Sequence, residues 1–248
     1  MAIRGAILGD IIGSRFEGHK CENPKGIRFL TDRCRFTDDT VLSIAVKEHF
    51  ITGDPMDFCL RKYAYLYPHA GFGSGFKMWV YGDNRFRPSF GNGSAMRVSY
   101  VSDIAHSIQE AEELAKETAE PSHNTKDGID GAVVIAVCGY MAKNNYTKQD
   151  ILEYAGKYYP EILYNDHNSL NYGWSATCRW SVPLAVRCFF DSTDYADCMR
   201  TVLSHHCDAD TVCAMAGGIA ENYWGIPDNL NTKFEEYLTE QLRDVLNA

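Results

Sequence analysis

Apolar residues recur along this chain mostly with the period of an α-helix, and alternation of period two is weak everywhere. From Asp39 to Phe50, the residues Val41, Leu42, Ala45, Val46 and Phe50 fall on one side at i, i+3, i+4 spacing. Thr37 suits the N-cap of that helix, Asp38 and Asp39 suit its first turn, and Gly53-Asp54-Pro55 ends it. The same reading predicts further helices over about 3–14, 55–67, 96–100, 103–118, 127–143, 147–158, 175–189, 194–204, 211–224 and 231–246. Three stretches, 18–35, 70–94 and 160–172, read as non-helical and are rich in Gly, Pro, Asn and aromatic residues, as functional loops often are. No repeat of solenoid period and no Ser- or Pro-rich linker divides the 248 residues. The expectation is an all-α fold in one domain, residues 1–248.

With 45% apolar residues the chain can fill a substantial core. A formal net charge of -9 and the lack of any polybasic run argue against nucleic-acid or membrane-surface binding. An acidic protein still binds a small anion where a metal or a helix N-terminus neutralises it locally. Nine scattered cysteines with no CxxC read as small buried hydrophobes in a reducing compartment. The N-terminal apolar run is interrupted by Asp10, and no stretch is long and apolar enough to span a bilayer. A cytoplasmic protein is expected.

Two acidic helix starts lie near opposite ends of the chain, Phe36-Thr37-Asp38-Asp39-Thr40 and Cys207-Asp208-Ala209-Asp210-Thr211. Each offers two carboxylates and a hydroxyl, the oxygen donors that hard divalent cations take. Four carboxylates brought together repel one another unless cations sit between them. Each motif alone is also what an ordinary helix cap looks like. A third motif, Gly91-Asn92-Gly93, allows close backbone approach or positive φ, and free N–H groups in such a loop can cradle a pyrophosphate.

In these segments the sequence resembles the ADP-ribosylglycohydrolase family, which includes the dinitrogenase reductase-activating glycohydrolases. Gly5 to Asp10 with Glu17 resembles its N-terminal helix and following acid, and Thr37-Asp38-Asp39-Thr40 its first metal motif. Gly91 to Arg97 resembles its glycine loop, and Asp208-Ala209-Asp210-Thr211 with Ala214 to Gly225 its second metal motif and helix. The resemblance implies a compact multi-helix bundle around a central cleft. It implies two magnesium ions, with manganese as a substitute, held by Thr37, Asp38, Asp39, Asp208, Asp210 and Thr211. Glu17 or Asp39 becomes the candidate for activating water. Ser89, Phe90, Gly91, Asn92, Gly93, Ser94, His123 and Tyr172 become the substrate-binding candidates, with Phe90 and Tyr172 proposed to stack on adenine.

The implied activity is magnesium-dependent hydrolysis of the glycosidic bond from ADP-ribose to a protein or small-molecule acceptor. Two alternatives remain on sequence alone: a non-catalytic ADP-ribose-binding or structural protein, and a metal-dependent pyrophosphohydrolase. One departure stands out. The family usually has a glycine-rich approach to the second metal motif and a Thr between its acids, where this chain has His205-His206-Cys207 and Ala209. That run raises zinc as a rival ion, although adjacent residues rarely ligate one ion together.

Overall fold

The computed structural model describes residues 1–82, 89–170 and 173–248, and among these it is all-α, with no strand. The helices are α1 (Ala2–Gly13), α2 (Asp38–Thr52), α3 (Met56–Leu66), α4 (Ser74–Tyr81), α5 (Gly93–Met96), α6 (Val101–Ile104), α7 (Ile108–His123) and α8 (Lys126–Lys143). They continue with α9 (Lys148–Gly156), α10 (Cys178–Asp191), α11 (Tyr195–Leu203), α12 (Ala209–Trp224), α13 (Asp228–Asn231) and α14 (Glu240–Asn247). All nine cysteines are buried and unpaired. No described helix is long and apolar enough to cross a membrane.

The innermost helix is α1. Every residue in it but Arg4 is buried, as befits a helix apolar on all sides. No side chain of its own caps it. The Asp103 carboxylate accepts from Ala2 N at 2.8 Å and Ile3 N at 3.3 Å, and Glu221 accepts from Gly5 N, so other helices satisfy its orphan donors. Arg4 turns outward to Asn231, Glu235 and the Phe234 ring, tying the C-terminal segment down.

Against α1 lies α12, the most intimate helix contact among the described residues, and it is made by glycines. Gly5, Gly9 and Gly13 recur every four residues and so share a face. A Cβ on Gly9 would fall 2.6 Å from the Cys213 carbonyl carbon, and one on Gly13 2.6 Å from Asp210 Cα. A Cβ on Gly217 would fall 2.5 Å from Gly5 O. The two backbones therefore touch directly. Around this pair, α8 packs on α7, α10 and α12, and α2 packs on α1, α3 and α14.

Helix α2 forms as its sequence predicts, with Thr37 Oγ1 accepting from Asp39 N and Gly53 at φ 76° closing the end. Four expectations need correction. The stretch 70–94 contains helix α4, whose glycine-bearing start hid it. The helix expected over 103–118 begins later, because extended Ala105 breaks the chain and Ser107 caps Glu110 N. It also runs through Pro121 to His123, which is therefore helical and not in a loop. The segment 96–100 divides into α5 and a 3-10 turn over Val98–Tyr100, and 231–246 divides into α13, a 3-10 turn over Phe234–Tyr237 and α14, which Thr239 starts anew.

The glycine contact generates a prediction of opposite signs. Gly9→Ala should destabilise the protein by about 3 kcal/mol or more, since a backbone carbonyl cannot yield as a flexible side chain does. Gly75→Ala, in exposed α4 with nothing near its Cβ, should stabilise by about 0.5–1 kcal/mol. Urea denaturation of the two variants and the parent checks both.

Candidate active site

The packing of α1 on α12 carries Asp10 to the start of α12, and the start of α2 comes up beside both. Asp10 is completely buried. Its carboxylate accepts from Thr37 N at 2.9 Å, Thr37 Oγ1 at 2.7 Å, Thr40 N at 3.2 Å and the Thr40 hydroxyl. One side chain of α1 thus fixes the first turn of α2 and aims Asp38 and Asp39. Asp39 is buried as well. Its Oδ2 accepts from Thr37 Oγ1 and Thr211 Oγ1, both at 3.2 Å, whereas its buried Oδ1 has no partner among the described residues. Oxygens of Asp10, Asp39 and Asp210 all lie within 4.8 Å of one another. Asp208 Oδ2 accepts from Asn92 Nδ2 at 2.8 Å, which links the second acidic motif to the glycine loop.

Burial governs the electrostatics. It raises Asp10 to about 6 despite the donors around it. Asp38 is raised to about 7 by burial and by the charges of Asp10, Asp208 and Glu17. Asp39 lies well above the ordinary carboxylate range through burial and then the charge of Asp210, Asp210 likewise through burial and then the charges of Asp208 and Asp10, and Asp208 is raised by burial. A site of this kind wants positive charge. Hard oxygen donors, an unpartnered buried carboxylate oxygen and mutual repulsion all fit a divalent cation.

Asp38, Asp39, Asp208 and Asp210 floor a cleft of about 370 Å³, with Asp10 behind them. Glu17, Asp38, Asp39, Asp208, Asp210 and Thr211 line it, as do Ser89, Gly91, Asn92, Gly93 and His123. Glu17 is exposed at the rim, with Arg35 at 3.9 Å. Thr37 is not a lining residue; its hydroxyl serves Asp10 and Asp39 from behind. Ser94 is buried with its hydroxyl on Gly128 O at 2.6 Å, facing away. Phe90 is 55% exposed and is not among the lining residues, while its carbonyl accepts from Cys178 N. Tyr172 lies outside the described residues.

The glycine loop works differently from the expectation of positive φ, which neither Gly91 nor Gly93 adopts. Proximity favours glycine there instead: a Cβ on Gly93 would sit in tight contact, 3.0 Å from His123 Nε2, and one on Gly91 3.4 Å from it. The N–H groups of Gly91 and Asn92 are engaged by Ser89 Oγ and Ala176 O, so they do not face a ligand. Of the run 205–207, His206 is exposed, His205 Nε2 meets His167 Nδ1 at 3.0 Å, and Cys207 Sγ points to Val202 O at 4.0 Å. None joins the acidic group.

Sequence reasoning passed over four contributors. Asp10 is the one acid in an apolar helix, and that isolation was its signal. Thr40 stands inside the first acidic motif and binds Asp10. Gly71, Gly73, Ser74, Gly75 and Phe76 line the cleft at the start of α4, and the alternating glycines of this run were legible. Gly71, at φ 117°, lies against Asp38. Trp174, 50% exposed, completes the wall.

The chain matches the profile of the family described as ADP-ribosylglycohydrolase over residues 1–247. It is similar to human ADP-ribosylhydrolase ARH3, with 24% identity covering 95% of this chain and 88% of that protein. The mouse ADP-ribosylhydrolase ARH3 is 25% identical, covering 90% and 83%. Among solved structures, a chain of an ADP-ribosylglycohydrolase-related protein complex superposes with a TM-score of 0.72 at 19% identity, over 98% of this chain and 95% of that one.

The crowded acids set a pH dependence. Folding raises their pKa values above the ordinary 3.8, so between there and about 7 the folded state holds more protons than the unfolded chain. Stability from this source is full below 3.8 and is lost as pH rises through 6 and 7. Cation-free protein should therefore melt lower at pH 8 than at pH 5, and magnesium should raise Tm more at pH 8. Thermal melts at both pH values, with and without the ion, check this; an equal magnesium effect at the two would contradict it.

Proposed function

The chain belongs to the ADP-ribosylglycohydrolase family, and on that premise we propose that it hydrolyses the glycosidic bond joining C1″ of ADP-ribose to a modified protein or small molecule, with magnesium as cofactor. The observation that carries this reading is the convergence of Asp39 and Asp210 on the floor of the cleft with Asp10 directly behind them, one buried carboxylate oxygen of Asp39 being left without a partner among the described residues. The acids come from the first and last thirds of the chain, so we read residues 1–248 as one functional domain.

Asp38, Asp39, Asp208, Asp210 and Thr211 would hold the metal, with Thr37 and Asp10 supporting them from behind. Bound magnesium supplies charge to orient the ribose hydroxyls and to lower the pKa of a water. Cleavage builds oxocarbenium character at C1″, which the surrounding carboxylates favour electrostatically. Glu17, at the rim and outside the crowded floor, is the candidate to accept the proton of the attacking water. Asn92 orients Asp208 through its amide N–H and accepts nothing from it. Phe76 and Trp174 offer the aromatic surface for adenine that Phe90 does not.

Release of free ADP-ribose from arginine-linked and serine-linked substrates tests the reading. Asp38→Ala with Asp210→Ala should lower magnesium-dependent release by on the order of 10³-fold, the equivalent of several kcal/mol of charge stabilisation. Glu17→Gln should lower kcat while leaving the magnesium-induced rise in Tm intact. Appearance of AMP and ribose phosphate would instead identify a pyrophosphohydrolase. Binding of ADP-ribose without turnover of either substrate would identify a binding protein.

A further inference from the structure

Behind the glycine loop, Arg97 is completely buried, and no carboxylate pairs with it among the described residues. Such a cation is costly to bury, so its surroundings should show what it does. Its Nη2 donates to Thr118 O at 2.6 Å and to Ser122 Oγ at 2.9 Å, both on the last turns of α7. Ser122 Oγ lies 2.9 Å from His123 Nδ1. His123 Nε2, at the other side of the ring, stands over Gly91 and Gly93 in the cleft, and no described residue accepts from it.

The proton inventory favours one direction for this chain. A guanidinium has donors only, so Ser122 Oγ must accept from Arg97. The seryl hydrogen is then free to be donated, and among the described residues the one acceptor in hydrogen-bond reach is His123 Nδ1. A hydrogen on Nδ1 would make Ser122 Oγ accept twice and leave its own buried hydrogen without an acceptor among the described residues, which is costly. The neutral ring consequently carries its hydrogen on Nε2. Burial and then the Arg97 charge lower the imidazole to about 3, which keeps it neutral over the physiological range. Arg97 itself, lowered by burial to about 9, stays charged at neutral pH.

We infer that Ser122, backed by Arg97, is a positioning residue that locks His123 as an Nε2–H donor aimed into the cleft at an acceptor oxygen of the bound ADP-ribose. The ligand half of this inference rests on the hydrolase reading; the hydrogen-bond chain does not. It accounts for glycine in the loop opposite, since a Cβ on Gly93 would press on the donor ring at 3.0 Å. It also gives the uncompensated cation a purpose, because a donor backed by positive charge is better suited to an anionic ligand.

The test reads the tautomer directly. Long-range proton–nitrogen correlation spectra of histidine-labelled protein at neutral pH resolve imine and N–H ring nitrogens, and loss of signals in His123→Gln identifies those of His123. The parent should show Nδ1 as imine and Nε2 as N–H. Ser122→Ala should convert this to a mixture of tautomers, and Ser122→Thr should restore it. Arg97 is left in place, since removing a fully buried side chain threatens the fold. An Nδ1–H tautomer in the parent, or a Ser122→Ala spectrum identical to the parent, overturns the inference. Calorimetry with ADP-ribose should show Ser122→Ala weakened about three- to tenfold and Ser122→Thr restored. A parent that binds no ADP-ribose sinks the hydrolase reading, while the spectra still decide the hydrogen-bond chain.

Discussion

The backbone contact between α1 and α12 is the constraint on which the rest of the structure depends. Gly5, Gly9 and Gly13 let the first helix lie directly on a helix more than 200 residues later in the chain. At the Gly13 end of that seam, α12 begins with Asp208 and Asp210. Asp10 is one residue beyond Gly9, so the approach that buries the glycines also delivers Asp10 to the acidic motif. A larger residue in the seam would separate the helices, and the carboxylates would lose their common centre. Asp10 then passes the constraint on, since its four hydrogen bonds from Thr37 and Thr40 decide where α2 starts.

The arrangement sets packing against electrostatics. Apolar helices hold several carboxylates in a space where each raises the pKa of the next. Nothing local favours that crowding, and the unpartnered Asp39 oxygen adds to its cost. Such frustration persists where surrounding structure over-determines it, and it tends to mark function. Protons relieve it at low pH, and a divalent cation can relieve it at neutral pH. The same physical demand thus links stability, pH and cofactor binding.

How far the sequence revealed this differs from element to element. Helix α2 was legible because its cap, first-turn acids, apolar spacing and terminal glycine are all local and agree. So were the two acidic motifs, each compact in sequence. Asp10 was harder, because the residues that explain it lie 27 and 30 positions away. The end of α7 was misread because proline usually closes a helix, yet Pro121 is carried within its last turns. Helix α4 was hidden by glycines that normally signal a turn. Of the two grounds on which the glycine loop was recognised, positive φ does not hold, while close approach does, toward the His123 ring. The two misread helices broke local rules, whereas Asp10 and the His123 contact depend on distant segments, which local pattern cannot encode.

Those distant contacts also address how a chain of net charge -9 can accept an anionic ligand. The cleft is polarised. Its floor carries the acids of α2 and α12, with Asp10 of α1 behind them. Its other side carries the His123 imidazole, neutral and backed by the Arg97 guanidinium. Asn92 joins the two, since its amide reaches Asp208 while its backbone belongs to the glycine loop. An elongated ligand with an anionic part and a hydroxyl-rich part has one favourable direction in such a field. Its anionic part is repelled from the bare acids and drawn toward the donor side, which leaves the hydroxyls to meet the floor where a cation would sit. The orientation needed for chemistry at a sugar carbon then follows from the charge asymmetry of the fold, before any residue touches the reacting bond.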